Sequence, residues 1–395
     1  MRRIKIGRIG VFFIGLLFIT GLAWGEVGVT DTTVKIGSIN DTTGPIAAIG
    51  IPRVETIQAL VKYYNDKGGI HGRKIIYMNE SDNYSPPRTV LAFKKLVDID
   101  KIFCFIASMA VATTLAIAPE IQKRKIPYLM LGGQSTKLMR PVRRYFFVSY
   151  PTFEDYTRIL VDFAANDLKM QNARIAHIFQ EDEVGSDCNK GVIMQVKKYP
   201  GMKLAAELPF KRGTVDVSSQ VQKAKAVNAD VVMVSSIVTG AAMIVKEIKK
   251  IGWNPTILLQ AHSGTETLIK LGGSAVEGVY AEMVMPIISE DVPGVRLFKQ
   301  VIKKYYPESK VNPSQYGYSG LVDMHLGLEA LERTGRNLTR EKVIETLEYK
   351  FKNVDLGSLP PVSFSPENHQ GSNSVNIVRV QNGKFVKKAA WRSPR

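Results

Sequence analysis

Few residues of this 395-residue chain stand at spacings that support chemistry. Gly317-Tyr-Ser-Gly320 approaches a nucleophile elbow, but its second glycine comes one residue too early for Gly-x-Ser-x-Gly. Gly132-Gly-Gln-Ser-Thr-Lys137 offers glycines, hydroxyls and a lysine without the four-residue gap of a phosphate-cradling loop. His177 lies within a β-rich run and His325 on a helical face, so both read as satisfied structural histidines, whereas His71 follows a Gly-Gly turn and reads as solvent-facing. Glu181, Asp182 and Glu183 are consecutive, so their carboxylates fan apart instead of converging on one substrate atom. Cys104 and Cys188 are too few for a disulfide scaffold, match no zinc spacing, and are expected to be free thiols in separate lobes. No catalytic triad, metal centre or cofactor motif assembles, so the expectation is a protein that is not an enzyme and carries no cofactor.

The elements that would have to position any site are clearer. Short β-rich runs at Val34-Lys-Ile-Gly-Ser-Ile39, Lys74-Ile-Ile-Tyr-Met78, 102–107 and 126–131 alternate with helix-period segments. Val54, Ile57, Val61 and Tyr64 mark one face of such a helix, which runs into Asn65-Asp-Lys-Gly-Gly-Ile70, a glycine-rich stop. The same rhythm restarts after Tyr150, with strands expected at 174–179, 203–208, 230–235 and 256–259 and helices starting near Phe153, Gly185, Val217 and Thr239. A helical stretch over 292–347 carries the apolar stripe Leu321, Met324, Leu328 and Leu331, and the tail reads as a hairpin about Asn382-Gly383. Such β-α-β alternation, twice over, predicts an α/β protein of two parallel-sheet lobes.

Charge points elsewhere at first. Lys+Arg number 53 against 36 Asp+Glu, a formal +17, which by itself suggests phosphate-bearing partners. Four of those cations, Arg2, Arg3, Lys5 and Arg8, precede an apolar run and the small-residue ending Ala23-Trp-Gly25, the pattern of a cleaved secretory signal over residues 1–25. The apolar run is shorter than the ~20 residues that span a bilayer. The remaining basic residues are dispersed over predicted helix surfaces without interleaved stacking aromatics, so nucleic acid is not an expected partner.

Ligands of open α/β sheets bind beyond the carboxyl ends of the strands, at helix starts. The loops 38–44, 108–113, 132–136 and 260–264 occupy such places. Val34-Lys-Ile-Gly-Ser-Ile-Asn-Asp-Thr-Thr-Gly-Pro45, Asn65-Asp-Lys-Gly-Gly-Ile-His-Gly72 and Ile126-Pro-Tyr-Leu129, in that order, resemble the periplasmic leucine/isoleucine/valine-binding proteins of ABC transporters. The resemblance implies a type I periplasmic binding fold, two Rossmann-like lobes with three crossovers that close on a small molecule. It divides the mature chain into lobe 1 at 26–149, lobe 2 at 150–278, lobe 1 again at 279–358, and a lobe 2 return with the hairpin at 359–395. It further implies a periplasmic, monomeric protein that delivers its ligand to an inner-membrane ABC permease.

Carried over position by position, the resemblance places the ligand against Ile49, Ala110, Val111, Thr113, Gly132, Gln134, Val184, Ile237 and His262, with Tyr84 and Phe153 as rim or stacking candidates that core packing also accounts for. Several of these depart from the family pattern. Ala110 stands where a serine hydroxyl would meet an amino acid's carboxylate, Gly132-Gly-Gln134 replaces an Ala-Ala-Thr segment, and His262 falls where an acid would pair with the ammonium. Ile49, Val184 and Ile237 replace cleft tyrosines. An ammonium without a carboxylate costs several kcal/mol to bury, so the expected ligand is an organic carboxylate, aromatic or aliphatic, instead of a zwitterion. A branched-chain amino acid binder, or a sensor that presents its closed form to a membrane receptor, are the alternatives.

Overall fold

The computed structural model describes residues 25–395; the expected signal peptide at 1–25 falls almost wholly outside them. In the first lobe β1 (Thr33–Ile39), β2 (Lys74–Glu80), β3 (Cys104–Ile106) and β4 (Tyr128–Leu129) form a parallel sheet of order β2-β1-β3-β4, interleaved with α1 (Ala47–Asp66), α2 (Pro86–Lys94), α3 (Val111–Arg124) and α4 (Thr136–Met139). The chain then crosses into α5 (Phe153–Asn166), β5 (Arg174–Gln180), α6 (Glu183–Val196), β6 (Lys203–Phe210), α7 (Ser218–Ala226), β7 (Val231–Ser235), α8 (Val238–Lys250), β8 (Thr256–Leu259), α9 (Glu266–Gly272) and β9 (Tyr280–Met283). It returns to the first lobe for α10 (Pro293–Tyr305), α11 (Gln315–Thr334) and α12 (Arg340–Glu345), and ends on the second with β10 (Val375–Gln381) and β11 (Lys384–Arg392).

The second sheet has seven strands, ordered β11-β10-β9-β8-β7-β5-β6, parallel except where β10 runs against β9 and β11. Helices cover both faces of its parallel part, so strands such as Val231–Ser235 are buried at every residue and read as unbroken apolar runs. The final hairpin turns at Asn382-Gly383, where both residues take positive φ, as a two-residue turn between twisted strands requires. In the first lobe Leu321, Met324, Leu328 and Leu331 of α11 are fully buried and contribute to the core.

Two lobe boundaries differ from expectation. β9 pairs with β8 and β10, so the second lobe extends through Met283 and not to 278. Residues 359–368 still belong to the first lobe, because Val362 exchanges backbone hydrogen bonds with Val354 and the Phe364 N–H donates to the Phe351 carbonyl. The last crossover therefore begins near Gln370, where it runs beside the first one: the Val148 N–H donates to His369 and the Gly371 N–H to Val148. Crossover boundaries escape a periodicity argument because a strand's pattern does not say which sheet it joins.

Candidate functional site

Because β1, β3 and β4 in one lobe and β5, β7 and β8 in the other are parallel within their sheets, the loops at their carboxyl ends gather on the same side of each sheet and meet across the cleft. They enclose a cavity of about 630 Å³. Its first-lobe wall includes Ile49 of α1, Tyr84 ahead of α2, Ala110 and Val111 at the start of α3, and Gly132 and Gln134 after β4. The facing wall includes Phe153 at the start of α5, Val184 of α6, Ile237 ahead of α8 and His262 after β8. Thr113 is the exception. It is 1% exposed and lies outside the cavity wall, since two residues along a 3.6-residue turn swing its side chain away from the face of Val111.

The structure adds residues that spacing did not single out. Arg53 lies one helical turn beyond Ile49, and Tyr156 one turn beyond Phe153, so the i+4 and i+3 neighbours of the expected positions carried a usable signal. Arg212, Met243, Met283 and Met285 also reach the wall, and the loop bearing Arg212 carried none. None of the four other histidines lines the cavity. His177 is fully buried between the Ser235 hydroxyl at 2.8 Å and the Asn189 side-chain oxygen at 2.9 Å, and burial lowers its pKa to about 4. His325 packs its ring on Tyr64, but its Nδ1 has no hydrogen-bond partner, so it is not the satisfied residue expected. His71 is held 2.8 Å from the Glu332 carbonyl and is only partly solvent-facing, because its turn folds back against the end of α11.

The two glycine-bearing sequences prove to be packing devices. Gly132 forms a bridge with Met109, laying the loops after β3 and β4 side by side. Gly320 lets α11 press against α1, where a methyl would stand 2.7 Å from the Arg53 carbonyl oxygen. Cys104 on β3 and Cys188 in α6 lie in different lobes, buried and unbonded, with burial holding the Cys104 thiol up at about 12.

Charges on the wall are already matched. The Arg53 guanidinium donates to Asp323 at 2.9 Å, to the Ser319 hydroxyl at 2.6 Å and to the Ala107 carbonyl at 3.2 Å. Arg212 of the second lobe reaches Asp182 at 3.0 Å and, across the cleft, the Tyr84 hydroxyl at 2.9 Å, with its guanidinium 4.4 Å from the centre of the Tyr84 ring. Asp182 is the one acidic residue on the wall among the described residues. His262 tilts against Phe153 with ring centres 5.2 Å apart, and enclosure between the lobes lowers its pKa to about 4, so it is neutral near pH 7. Glu282, one residue from the wall's Met283, is fully buried, and burial lifts its carboxyl well above the ordinary range.

What remains open on the wall is neutral or donating. α3 starts behind Ala110, which takes φ 84° and supplies no side-chain cap, so the N–H groups of its first turn have no side-chain acceptor among the described residues. A positive φ on alanine costs about 1–3 kcal/mol and is characteristic of binding sites. The side-chain oxygen of Gln134 and the hydroxyl of Ser236 are buried on the wall without a hydrogen-bond partner among the described residues. Leaving such atoms unsatisfied costs about 1–3 kcal/mol each, which a ligand can recover.

Comparison with known proteins agrees with this architecture. A family model described as periplasmic binding protein matches residues 33–384. Two relatives from Brucella abortus, Leu/Ile/Val-binding protein homologs 7 and 8, are each 22% identical, the first over 76% of this chain and 77% of its own length, the second over 89% of each. Among solved structures, a branched chain amino acid ABC transporter protein from Thermus thermophilus with bound valine superposes with a TM-score of 0.85 at 21% identity, covering 92% of this chain and 97% of that one. A fatty acid ABC transporter substrate-binding protein from Thermomonospora curvata gives 0.80 at 22% identity, covering 93% and 94%. The chain belongs to the periplasmic binding protein family, whose members bind solutes and are not enzymes.

Proposed function

We propose that this protein is the monomeric periplasmic component of an ABC transporter, and that it captures an apolar carboxylate between its lobes and hands it to an inner-membrane permease. The observation that carries the ligand class is the charge balance of the cavity. Asp182 is engaged by Arg212 and His262 is neutral, so an ammonium entering the cleft meets no free carboxylate, whereas the open start of α3 offers N–H donors and the positive end of a helix to an anion. The body of the ligand would rest on Phe153, Tyr156, Phe210 and the methionines, and a 630 Å³ cavity lies within the ~300–1,000 Å³ range of sites for organic molecules of drug size. The relatives named for fatty acids and for branched-chain amino acids have a carboxylate ligand in common; the ammonium partner is the feature missing here.

Thermal shift and calorimetry against phenylpropanoate, octanoate, leucine and valine test the proposal. A true ligand at a hundredfold excess over its Kd stabilises the protein by about 2.7 kcal/mol, so the acids should raise Tm by several degrees while leucine and valine leave it unchanged. Stabilisation by leucine beyond that of either acid would make this a branched-chain amino acid binder instead.

A further inference from the structure

Helix starts around the cavity fall into two groups. Those of α5, α6 and α11 are closed by their own side chains: Thr152 with Asp155, Asp182 onto the Gly185 N–H, and Ser314 onto the Gly317 N–H. The turn ahead of α1 is served by Asp41, which accepts from the N–H groups of Thr43, Gly44 and Ile46. Two long helices with starts on the wall lack such closure, α3 in the first lobe and α8 in the second. The residue ahead of α8 is Ile237, in the extended conformation that a capping serine or threonine would adopt, yet with a side chain that cannot accept a hydrogen bond.

A second feature coincides with that open start. Ser236 is 3% exposed, lies on the cavity wall, and its hydroxyl has no partner among the described residues. The hydroxyl rests against the first turn of α8, since a methyl added at Gly240 would come within 2.2 Å of it. The Ser236 carbonyl, by contrast, is held firmly, accepting from the Gln260 amide and the Ser263 hydroxyl at 2.9 Å each. The backbone is therefore fixed while the hydroxyl and the first-turn N–H groups stay unused.

We propose that the start of α8, with the Ser236 hydroxyl, is a second ligand subsite built for an oxygen acceptor, so that the ligand is an apolar acid bearing a second oxygen function, carboxylate or hydroxyl, on its side facing the second lobe. The inference rests on the reading of the cavity as a carboxylate site and refines it. The N–H groups at a helix start donate and the helix dipole places partial positive charge there, so this wall favours oxygen and disfavours an ammonium. A zwitterion is thereby opposed twice on the second-lobe wall, by the missing acid near His262 and by the polarity of α8.

Calorimetry with phenylpropanoate and its para-carboxy and para-hydroxy derivatives tests this on the intact protein. Wild type should bind at least one derivative on the order of tenfold more tightly than the parent acid, as a hydrogen bond to an unpaired buried donor allows. Which derivative gains more separates an anionic from a neutral second group. Ser236→Ala, and independently Ile237→Thr, which supplies a cap from within the chain, should lower the ratio of derivative to parent affinity to about twofold. Melting temperatures of the ligand-free variants establish that both remain folded. Equal affinity for parent and derivatives in wild type, or a ratio unchanged in both variants, overturns the second subsite while leaving the carboxylate reading intact. Binding of leucine with none of the acids bound overturns the reading beneath it as well.

Discussion

The two lobes present the same device to the cleft, a strand followed by a helix start, but they secure it with different chemistry. The first lobe uses charge: Arg53 and Asp323, 4% and 0% exposed, tie α1 to α11 directly behind the wall. The second uses neutral groups: His177 between Ser235 and Asn189, and Gln260 bonded to the Ser236 carbonyl and the His262 N–H. A buried ion pair holds only while both partners remain, whereas a buried neutral histidine holds only while the medium leaves it uncharged. The two ties should therefore fail under different insults, Arg53 with Asp323 to a single truncation and His177 to acid.

Truncation has the largest expected effect. Asp323→Ala leaves the Arg53 guanidinium buried with only the Ser319 hydroxyl and the Ala107 carbonyl, and should cost about 3–5 kcal/mol, read as a lower urea midpoint. Replacing both partners, Arg53→Met with Asp323→Leu, should recover most of that loss. A cost below about 1 kcal/mol for Asp323→Ala would remove the contrast between the lobes.

Acid comes next. The His177 pKa in the folded protein lies near 4, below the ordinary 6.5, so its contribution is complete above pH 6.5 and is lost as pH falls towards 4. The expected slope is about 1.4 kcal/mol per pH unit across that window. His262 and His325 are depressed alike, so the informative quantity is the difference between wild type and His177→Gln, whose stability should fall less steeply over the same range. Parallel profiles would show that His177 is not what makes the second lobe acid-sensitive.

Between the lobes, Arg212 bridges what each holds separately. Arg212→Met removes the hydrogen bond to Tyr84 and the ion pair to Asp182, and should speed ligand release up to about tenfold in stopped-flow experiments. Tyr84→Phe keeps the ring beneath the guanidinium and loses only the hydroxyl, so roughly threefold is expected. Since Arg212 is partly exposed, the wild-type advantage should shrink in high salt.

How far the sequence reveals all this depends on the range of the interaction. Strands, helix starts and the Asn-Gly hairpin are set by neighbours within a few residues, and they stand close to where the periodicity puts them. The residues at strand ends were reachable for the same reason, because β-α-β topology carries the loop after every parallel strand to one edge. Thr113 was misplaced by helix rotation, a local matter that counting along the turn resolves. Arg53 with Asp323, and Tyr84 with Arg212, join positions 270 and 128 residues apart, and no pattern within either segment reports its partner. The lobe affiliation of β9 is of the same kind, decided by pairing with β10 from the far end of the chain.

The smallest effects bear on the helix starts themselves, where one lobe contains both kinds. Thr152 caps α5 by accepting from the Asp155 N–H at 3.2 Å, and Thr152→Ala should cost about 1 kcal/mol by urea denaturation. At α8 the reverse substitution, Ile237→Thr, keeps a β-branched side chain and introduces the missing acceptor at an extended backbone position, which should stabilise the ligand-free protein by about 0.5 kcal/mol. The gain should come at the expense of ligand affinity, because a donor satisfied from within is no longer free for an oxygen of the ligand. A stabilised variant with undiminished affinity would mean that α8 is open by chance, and the open starts on the two walls would then have to be explained separately.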